Sequence, residues 1–544
     1  MAGTGAEFDY IVVGAGSAGC VVAARLSEDP QSRVLLLEAG GSNEHLYLKM
    51  PLAFLKAMPD PRFNWTYWTE EEPNLGGRRM PLPRGRVMGG SGSINGMFAM
   101  RGHPLDYDQW AQMGARGWSY ADVLPYFKKS EDSWRGESEY HGKGGPVQVR
   151  PIDSPFLLHE PMMETAKAAG FDTSDDLAGA HPEGFARGEQ TVDSHGRRVS
   201  AATAYLGPAR GRRNLDVRSG ALVHRVVFEG KRAVGVEVDL GDGPRVVRAA
   251  KEVILSGGSY NSPHLLMLSG VGPAKHLKDK GIEVVHDSPG VGRNLQEHPC
   301  AMLEFNAKDQ VTFLNQLRWD KIALNSIRWA LTGKGPMASQ VNSCNVVIRT
   351  AEHLDRPDLQ IMVNPIRFDA QPWFPGIRKV QDHVFWAGIV QLHPESRGWV
   401  ELKSSDPREV ASVTLNILDT EADREQMRRA FRTTRKIYNT APMADYIVSE
   451  RTPGAQVESD DELDAFIRAS CYVAQHPTST CAMGMGKSSV VDNELKVIGV
   501  EGLRIVDCSV MPTVPGGNTN LPVIMLAEKA ADLIKGRSLP RAEI

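Results

Sequence analysis

Cysteine is scarce and scattered. The six cysteines, at 20, 300, 344, 471, 481 and 508 of 544 residues, include no CxxC pair. That spacing argues against a zinc ribbon or a disulfide framework, and no metal site is expected. Charge of one sign is also missing: 62 basic and 66 acidic residues give a formal net charge of −4, with no basic stripe or block of like charge. Neither nucleic acid nor an anionic membrane is therefore expected as a partner. Long hydrophobic runs are absent too. Residues 1–8 are small and polar, and the apolar stretch at 10–13 leads straight into glycines. This matches neither a signal peptide nor a membrane span, so the expected compartment is the cytoplasm. There is no internal repeat or low-complexity tract. What remains is ordinary for a soluble globular chain with a substantial core: 41% apolar and 24% charged residues. The length suits three or four domains of about 150 residues, or two large interwoven α/β domains.

The first forty residues are the most informative. Residues 8–13 (Phe-Asp-Tyr-Ile-Val-Val) read as a short buried strand. They run into Gly14-Ala15-Gly16-Ser17-Ala18-Gly19, then a helical stretch at 20–26, then a second buried strand at 33–37 that ends at Glu38. This is a complete βαβ dinucleotide-binding pattern. Gly14 permits the tight turn, Gly16 lets backbone approach a pyrophosphate, and Gly19 lets helix and strand pack closely. The helix N-terminus, at Ser17 and Ala18, offers free N–H groups and a partial positive charge to phosphates. Glu38 lies 24 residues after Gly14, placed for ribose hydroxyls, and an acid there disfavours the 2′-phosphate of NADP. The pattern alone does not separate NAD from FAD.

Three further segments bear on that choice. Residues 85–95 (Gly-Arg-Val-Met-Gly-Gly-Ser-Gly-Ser-Ile-Asn) form a glycine-dense loop where backbone must approach something large and flat. Residues 258–272 join a buried strand at 253–255 to a helix. Residues 476–484 and 507–527 form a C-terminal pair. In order and spacing, from the first glycines to Ala530, these motifs resemble the glucose–methanol–choline (GMC) oxidoreductase family, in its alcohol- and choline-dehydrogenase-like branch. Small departures such as Met88 do not disturb the match.

The resemblance implies FAD as the cofactor. It implies that Glu38 holds the adenosine ribose, that Val223 meets the adenine through its backbone, and that Val87, Gly90, Asn95, Gly96 and Met97 belong to the loop around the isoalloxazine. Asp507 and Asn520 would sit near the flavin and pyrophosphate. Trp65 and Tyr67 are read equally as walls of the flavin pocket or as core. Relatives that bind FAD covalently do so through a histidine in the glycine-dense loop; the matching position is Ile94, which has no nucleophile, so non-covalent FAD is expected. The implied fold is α/β, an FAD-binding Rossmann-like domain interwoven with an α+β substrate-binding domain built on an antiparallel sheet. The FAD domain would take residues 1–150, 200–300 and 470–544, and the substrate domain 151–199 and 301–469. Strand-like stretches at 384–392 and 398–402 and an amphipathic helix at 420–438 agree with this plan. Residues 131–145, rich in Gly, Ser and charge, read as a surface loop.

Alcohol oxidation removes a proton from oxygen and a hydride from carbon. The flavin accepts the hydride, and the protein must supply a base. Imidazole suits the proton step because its ordinary pKa lies near neutrality. Of the 15 histidines, His476 opens the segment that resembles the family's catalytic one. Asn518 falls where relatives carry histidine or asparagine. It cannot act as a second base, but it can donate a hydrogen bond to the substrate oxygen; the competing reading of Gly516-Gly517-Asn518 is a plain turn. His298 is read as scaffold.

The expected reaction is oxidation of a primary alcohol to an aldehyde, with electrons passing to a quinone-like carrier. The small Ala474 inclines the reading towards a dehydrogenase. Competing readings are an oxidase using dioxygen, a hydroxynitrile lyase in which FAD does no redox work, and a non-enzymatic flavin-binding protein. Gln475, rather than an aromatic, precedes His476. That weakens choline as substrate, because a quaternary ammonium calls for aromatics and an acid. A neutral alcohol is preferred, and Trp373, Phe374, Phe385 and Trp386 either furnish an apolar pocket or belong to the core.

Overall fold

The computed structural model describes residues 8–152, 158–308, 310–367 and 369–544. Strand β1 (Phe8–Val13), helix α1 (Ser17–Leu26) and strand β2 (Val34–Glu38) form where the sequence pattern puts them. β1 lies between β2 and the end of a long strand, Pro244–Leu255, and all three run parallel. Leu215–Ser219 extends the sheet beyond β2, and Leu503–Ile505 extends it on the other side. Such a sheet is covered on both faces and its strands read as near-continuous apolar runs. Every residue of β2 is accordingly buried. Helix α1 packs against the C-terminal helix Asn520–Ile534. The long strand serves two sheets. Its C-terminal half is buried among parallel neighbours, and its exposed first half joins an antiparallel ribbon with Arg232–Asp239 and Leu222–Glu229.

A second, antiparallel sheet stands beside the first. Its order is Ile447–Thr452, Pro299–Ala307, Val384–Gln391, Leu359–Asn364, Cys344–Ile348 and Gly184–Arg187, with Tyr472–Val473 also paired to Pro299–Ala307. The sequence expectations at 384–392, 398–402 and 420–438 appear as the strands Val384–Gln391 and Trp399–Glu401 and the helix Glu421–Tyr438. That helix is capped by Thr420, whose side chain accepts from the Asp423 N–H. It packs on the sheet through Met427, Ala430, Phe431 and Tyr438, all buried.

One open alternative is decided and one expectation needs correction: of pocket and core, the aromatics at 373, 374, 385 and 386 lie off the cavity. Phe385 belongs to the core of the second sheet: Phe305 stacks on Tyr438 with centroids 4.9 Å apart, and Phe385 sits 5.6 Å from Phe305. Trp373 donates to the Leu314 carbonyl, and Phe374 stacks on Trp319. None of Trp373, Phe374, Phe385 and Trp386 lines the central cavity. Alternation in a strand cannot reveal which face meets a ligand and which meets a helix. The stretch 131–145 is not simply a surface loop either. Glu131–Ser133 pairs in parallel with Val147–Pro151. The Glu131 carboxylate is buried between Arg101 Nη2 at 2.7 Å and His141 Nδ1 at 3.0 Å, and His141 Nε2 reaches Asp176 at 2.7 Å. Glu131 and His141 are turned inward and paired, while Glu137, Glu139 and Lys143 stay exposed.

Phe385→Ala should leave a cavity between sheet and helix and cost about 3–5 kcal/mol, read as a clear fall in the thermal midpoint. An unchanged midpoint would contradict the core placement.

Candidate active site

A cavity of about 370 Å3 runs between the two sheets. At one end it is walled by Gly14, Gly16, Ser17, Ala18, Glu38 and Val223, and at the other by His476 and Asn518. Trp65, Gly90, Asn95, Gly96 and Met97 line it between them, together with Asp507 and Asn520. Two expected residues do not reach it. Gly19 lies beneath, where a Cβ would stand 1.9 Å from the Gly14 carbonyl oxygen, so its place is the close helix–strand contact. Val87 points away and packs with Leu48, Ala57, Phe63 and Ile94.

The end lined by Gly14, Gly16 and Ser17 is built from converging backbone. Gly90, at φ +54, approaches the Gly16 Cα so closely that a Cβ would lie 2.7 Å from it. Ser17 Oγ donates to Asn520 Oδ1 at 2.8 Å, which brings the N-termini of α1 and of Asn520–Ile534 together. Two helix N-termini and a glycine loop make a receptive place for an anion. Glu38 closes this end: its carboxylate accepts from the Ala15 and Gly40 N–H groups at 2.9 and 2.8 Å. Burial pushes its pKa up to about 7 against those hydrogen bonds. A carboxylate has about four lone-pair positions, so two remain for hydroxyl donors. Asp507 is committed to structure. It accepts from Gly258 N, Ser262 Oγ and Ser509 N, and so ties the helix Gly258–Leu268 to the C-terminal segment. Arg198, which lies in no motif of the sequence, is buried behind the glycine-dense loop. Its Nη1 donates to the backbone carbonyl and side chain of Asn95, both at 2.7 Å. Burial without a carboxylate partner lowers its pKa to about 9.

At the other end two stretches far apart in sequence run side by side. Pro299 pairs with Val473 and Cys300 with Tyr472; Ala474 N donates to the His298 carbonyl and Thr478 N to that of Gln296. Glu297 Oε1 accepts from the backbone N–H of His298 at 2.9 Å and of His476 at 2.6 Å. The two imidazoles meet edge to face, with Nδ1 to Nδ1 at 3.0 Å. His476 Nε2 lies 3.0 Å from Asn518 Nδ2. Gln360 Nε2 is 3.4 Å from Asn518 Oδ1 and fixes the amide with its NH2 group towards His476. The tautomer follows. Nε2 accepts from Asn518, so Nδ1 carries the proton and donates it to His298 Nδ1. His298, read from the sequence as scaffold, is in direct contact with His476. Arg84, held by the Gln475 carbonyl and side chain at 3.0 and 2.9 Å, adds positive charge nearby. Burial first, and Arg84 second, lower the His476 pKa to about 3. Burial raises Glu297 to about 7, against the opposing pull of Arg84 and its two backbone donors. Burial thus keeps the His476 imidazole neutral, with Nε2 at the cavity wall, and at the same time lowers its affinity for a proton.

The cavity, its glycine cradle and the free lone pairs of Glu38 suit a dinucleotide, and the chain's relatives identify which. Residues 8–300 match the N-terminal model of the GMC oxidoreductases, and residues 394–527 match the C-terminal one. The chain belongs to the GMC oxidoreductase family. It is 43% identical to an oxygen-dependent choline dehydrogenase of Pseudomonas aeruginosa, over 98% of this chain and 96% of that one. To an enzyme of the same name from Escherichia coli O127:H6 it is 42% identical, over 98% and 97%. Among solved structures it is similar to pyridoxine 4-oxidase from Mesorbium loti (TM-score 0.87, 30% identity, 98% of this chain and 100% of that one). It is also similar to a formate oxidase (TM-score 0.91, 26% identity, 98% and 99%). As a GMC oxidoreductase the protein is an FAD-dependent enzyme acting on CH–OH groups, with an α/β, Rossmann-like FAD-binding fold.

Glu297→Gln tests the electrostatics. The glutamine oxygen can keep both backbone hydrogen bonds while removing a buried charge. In the wild type the raised folded-state pKa costs nothing while Glu297 is protonated, and stability is lost as pH rises from the ordinary carboxylate value through about 7. The variant should therefore gain on the wild type as pH rises from 5 to 8, by an amount on the order of 3 kcal/mol. A difference in thermal midpoint that does not change with pH would contradict this.

Proposed function

We propose that this protein oxidises a neutral primary alcohol to an aldehyde, with His476 as base, Asn518 as hydrogen-bond donor to the substrate oxygen, and a quinone-like carrier as electron acceptor. One observation supports this most. The Nε2 lone pair of a neutral, 7% exposed imidazole stands at the cavity wall beside an amide N–H, while Nδ1 is occupied by His298. A hydroxyl that takes the place of the Asn518 N–H on Nε2 gives its proton there, and the released Asn518 NH2 group turns to the oxygen as negative charge grows on it. The imidazolium so formed keeps donating through Nδ1 to His298. The Glu297 carboxylate, bonded to the His476 backbone N–H, offsets part of the buried charge.

FAD, when bound, supplies the hydride acceptor that no side chain provides. Gly14, Gly16, Ser17, Ala18, Gly90 and Asn520 would hold its pyrophosphate, Glu38 its ribose and Val223 its adenine. Trp65, Asn95, Gly96 and Met97 would face the ring system, with Asp507 fastening the segment behind it. Attachment is non-covalent in this reading, because Ile94 stands where a covalent link would need a nucleophile. Residues 1–150, 200–300 and 470–544 would make up the FAD domain, and 151–199 and 301–469 the substrate domain. The boundaries at 300 and 470 fall beside two strands, Pro299–Ala307 and Tyr472–Val473, that pair with each other.

The substrate end is walled mainly by Phe54, Met58, Phe98, Met362 and Val390, with Gln360 as a polar exception. Three acids line the whole cavity, Glu38, Glu409 and Asp507. Glu38 and Asp507 are engaged by backbone N–H groups, and Glu409 accepts from Ser404 Oγ. That lining favours a neutral alcohol. Choline is the second reading, favoured by the name of the relatives at 42–43% identity. For the acceptor, dioxygen is the alternative suggested by the oxidases among the similar structures.

The purified protein should be yellow, and anaerobic mixing with a panel of alcohols including choline should bleach it for the true substrate class. The rate of recolouring by air against that by a quinone separates the acceptors, and unchanged colour during turnover would point to a lyase. His476→Ala should slow bleaching by about two to four orders of magnitude while FAD stays bound. Bleaching at a near-normal rate in that variant would remove His476 from its role.

A further inference from the structure

The helix Trp319–Thr332 turns its apolar stripe outward. Its buried residues are Asn325 and Trp329, and the Trp329 Nε1–H donates to the Gly196 carbonyl. Leu324, Ile327 and Leu331, spaced along one outer face, are 66%, 58% and 80% exposed. Ala323 and Ala330 are exposed beside them. Trp319, also exposed, stacks on Phe374 in the neighbouring segment, whose Ile377 and Val380 are exposed as well. A helix facing water carries polar residues on this side, and a contiguous exposed apolar surface marks a docking site.

The rim decides what docks. Residues 318–334 and 367–382 hold seven basic side chains, Arg318, Lys321, Arg328, Lys334, Arg367, Arg378 and Lys379, against three acids, Asp320, Asp369 and Asp382. Both Asp320 oxygens are held by Arg318. The near-neutral charge of the whole chain, which argued against an anionic membrane, hides this local excess. We propose that this face docks on an anionic lipid bilayer. The helix lies in the interface with Leu324, Ile327, Leu331 and Ile377 at the acyl boundary and the basic residues among the head groups. Among the described residues no helix is long and apolar enough to cross a membrane, so the attachment is peripheral. A second copy of the chain fits less well, because a two-fold contact would press one basic rim against another. The docked face also adjoins the cavity. Pro336–Ala338 touches both this helix and Pro51–Ala53, and Phe54 and Met58 just beyond are part of the cavity wall.

Co-sedimentation of the full-length, FAD-loaded protein with vesicles tests this. Wild type should bind vesicles of equal parts phosphatidylcholine and phosphatidylglycerol, and bind pure phosphatidylcholine about tenfold less. The triple variant Leu324→Ser, Ile327→Ser, Leu331→Ser should lose about tenfold or more of the binding to anionic vesicles, with FAD content and thermal midpoint unchanged. Wild type remaining in the supernatant with anionic vesicles would overturn the proposal, as would equal binding by the triple variant. So would a wild-type dimer in light scattering that the triple variant dissolves, since the face would then be an interface between copies.

Discussion

The active end of this molecule hangs on one carboxylate oxygen. Glu297 Oε1 takes the backbone N–H of His298 and of His476, two residues 178 apart in the chain. The strand pairing on either side keeps the two stretches in register. Holding both backbones on one acceptor sets the two imidazoles against each other, so the Nδ1 proton that the Asn518 contact leaves on His476 has an acceptor in His298. Asn518 takes the remaining nitrogen, and its own amide is oriented by Gln360 from the antiparallel sheet. In the proposed site the parallel sheet carries the cofactor cradle and the antiparallel sheet the substrate wall, and Glu297 joins the two histidine-bearing stretches.

Electrostatics follow from burial. Glu38 and Glu297 are both pushed up to about 7, and His476 is pushed down to about 3. In each case desolvation is the largest cause, because a low-dielectric interior penalises the charged form whatever its sign. The free site is therefore close to uncharged at its base, and a proton moved there is felt strongly by its few polar neighbours.

Much of this was legible in the sequence where the signal is local. Glycines at 14, 16 and 19 between two apolar runs announce the βαβ unit, and Glu38 announces its end. The charged amphipathic stretch up to Tyr438 announces its helix. What was hidden depends on partners distant in sequence. Nothing near His298 shows that it meets His476. Nothing near Glu131 shows that Arg101, 30 residues away, meets it, so a charged, glycine-rich stretch reads as a surface loop. Phe385 alternates correctly in its strand, yet only the helix Glu421–Tyr438 tells which face is core. Val87 sits in the glycine-dense motif but turns its side chain away from the cavity. Net charge likewise averaged out the basic rim around Trp319–Thr332.

The central claim is that His476 Nε2 removes the hydroxyl proton, and the pH dependence of anaerobic flavin reduction in His476→Ala tests it most directly. Without the imidazole, the alcohol must lose its proton to hydroxide. The reduction rate of the variant should then climb by about tenfold for each pH unit through the alkaline range and close on the wild-type rate. A variant whose rate runs parallel to that of the wild type at every pH would contradict the account.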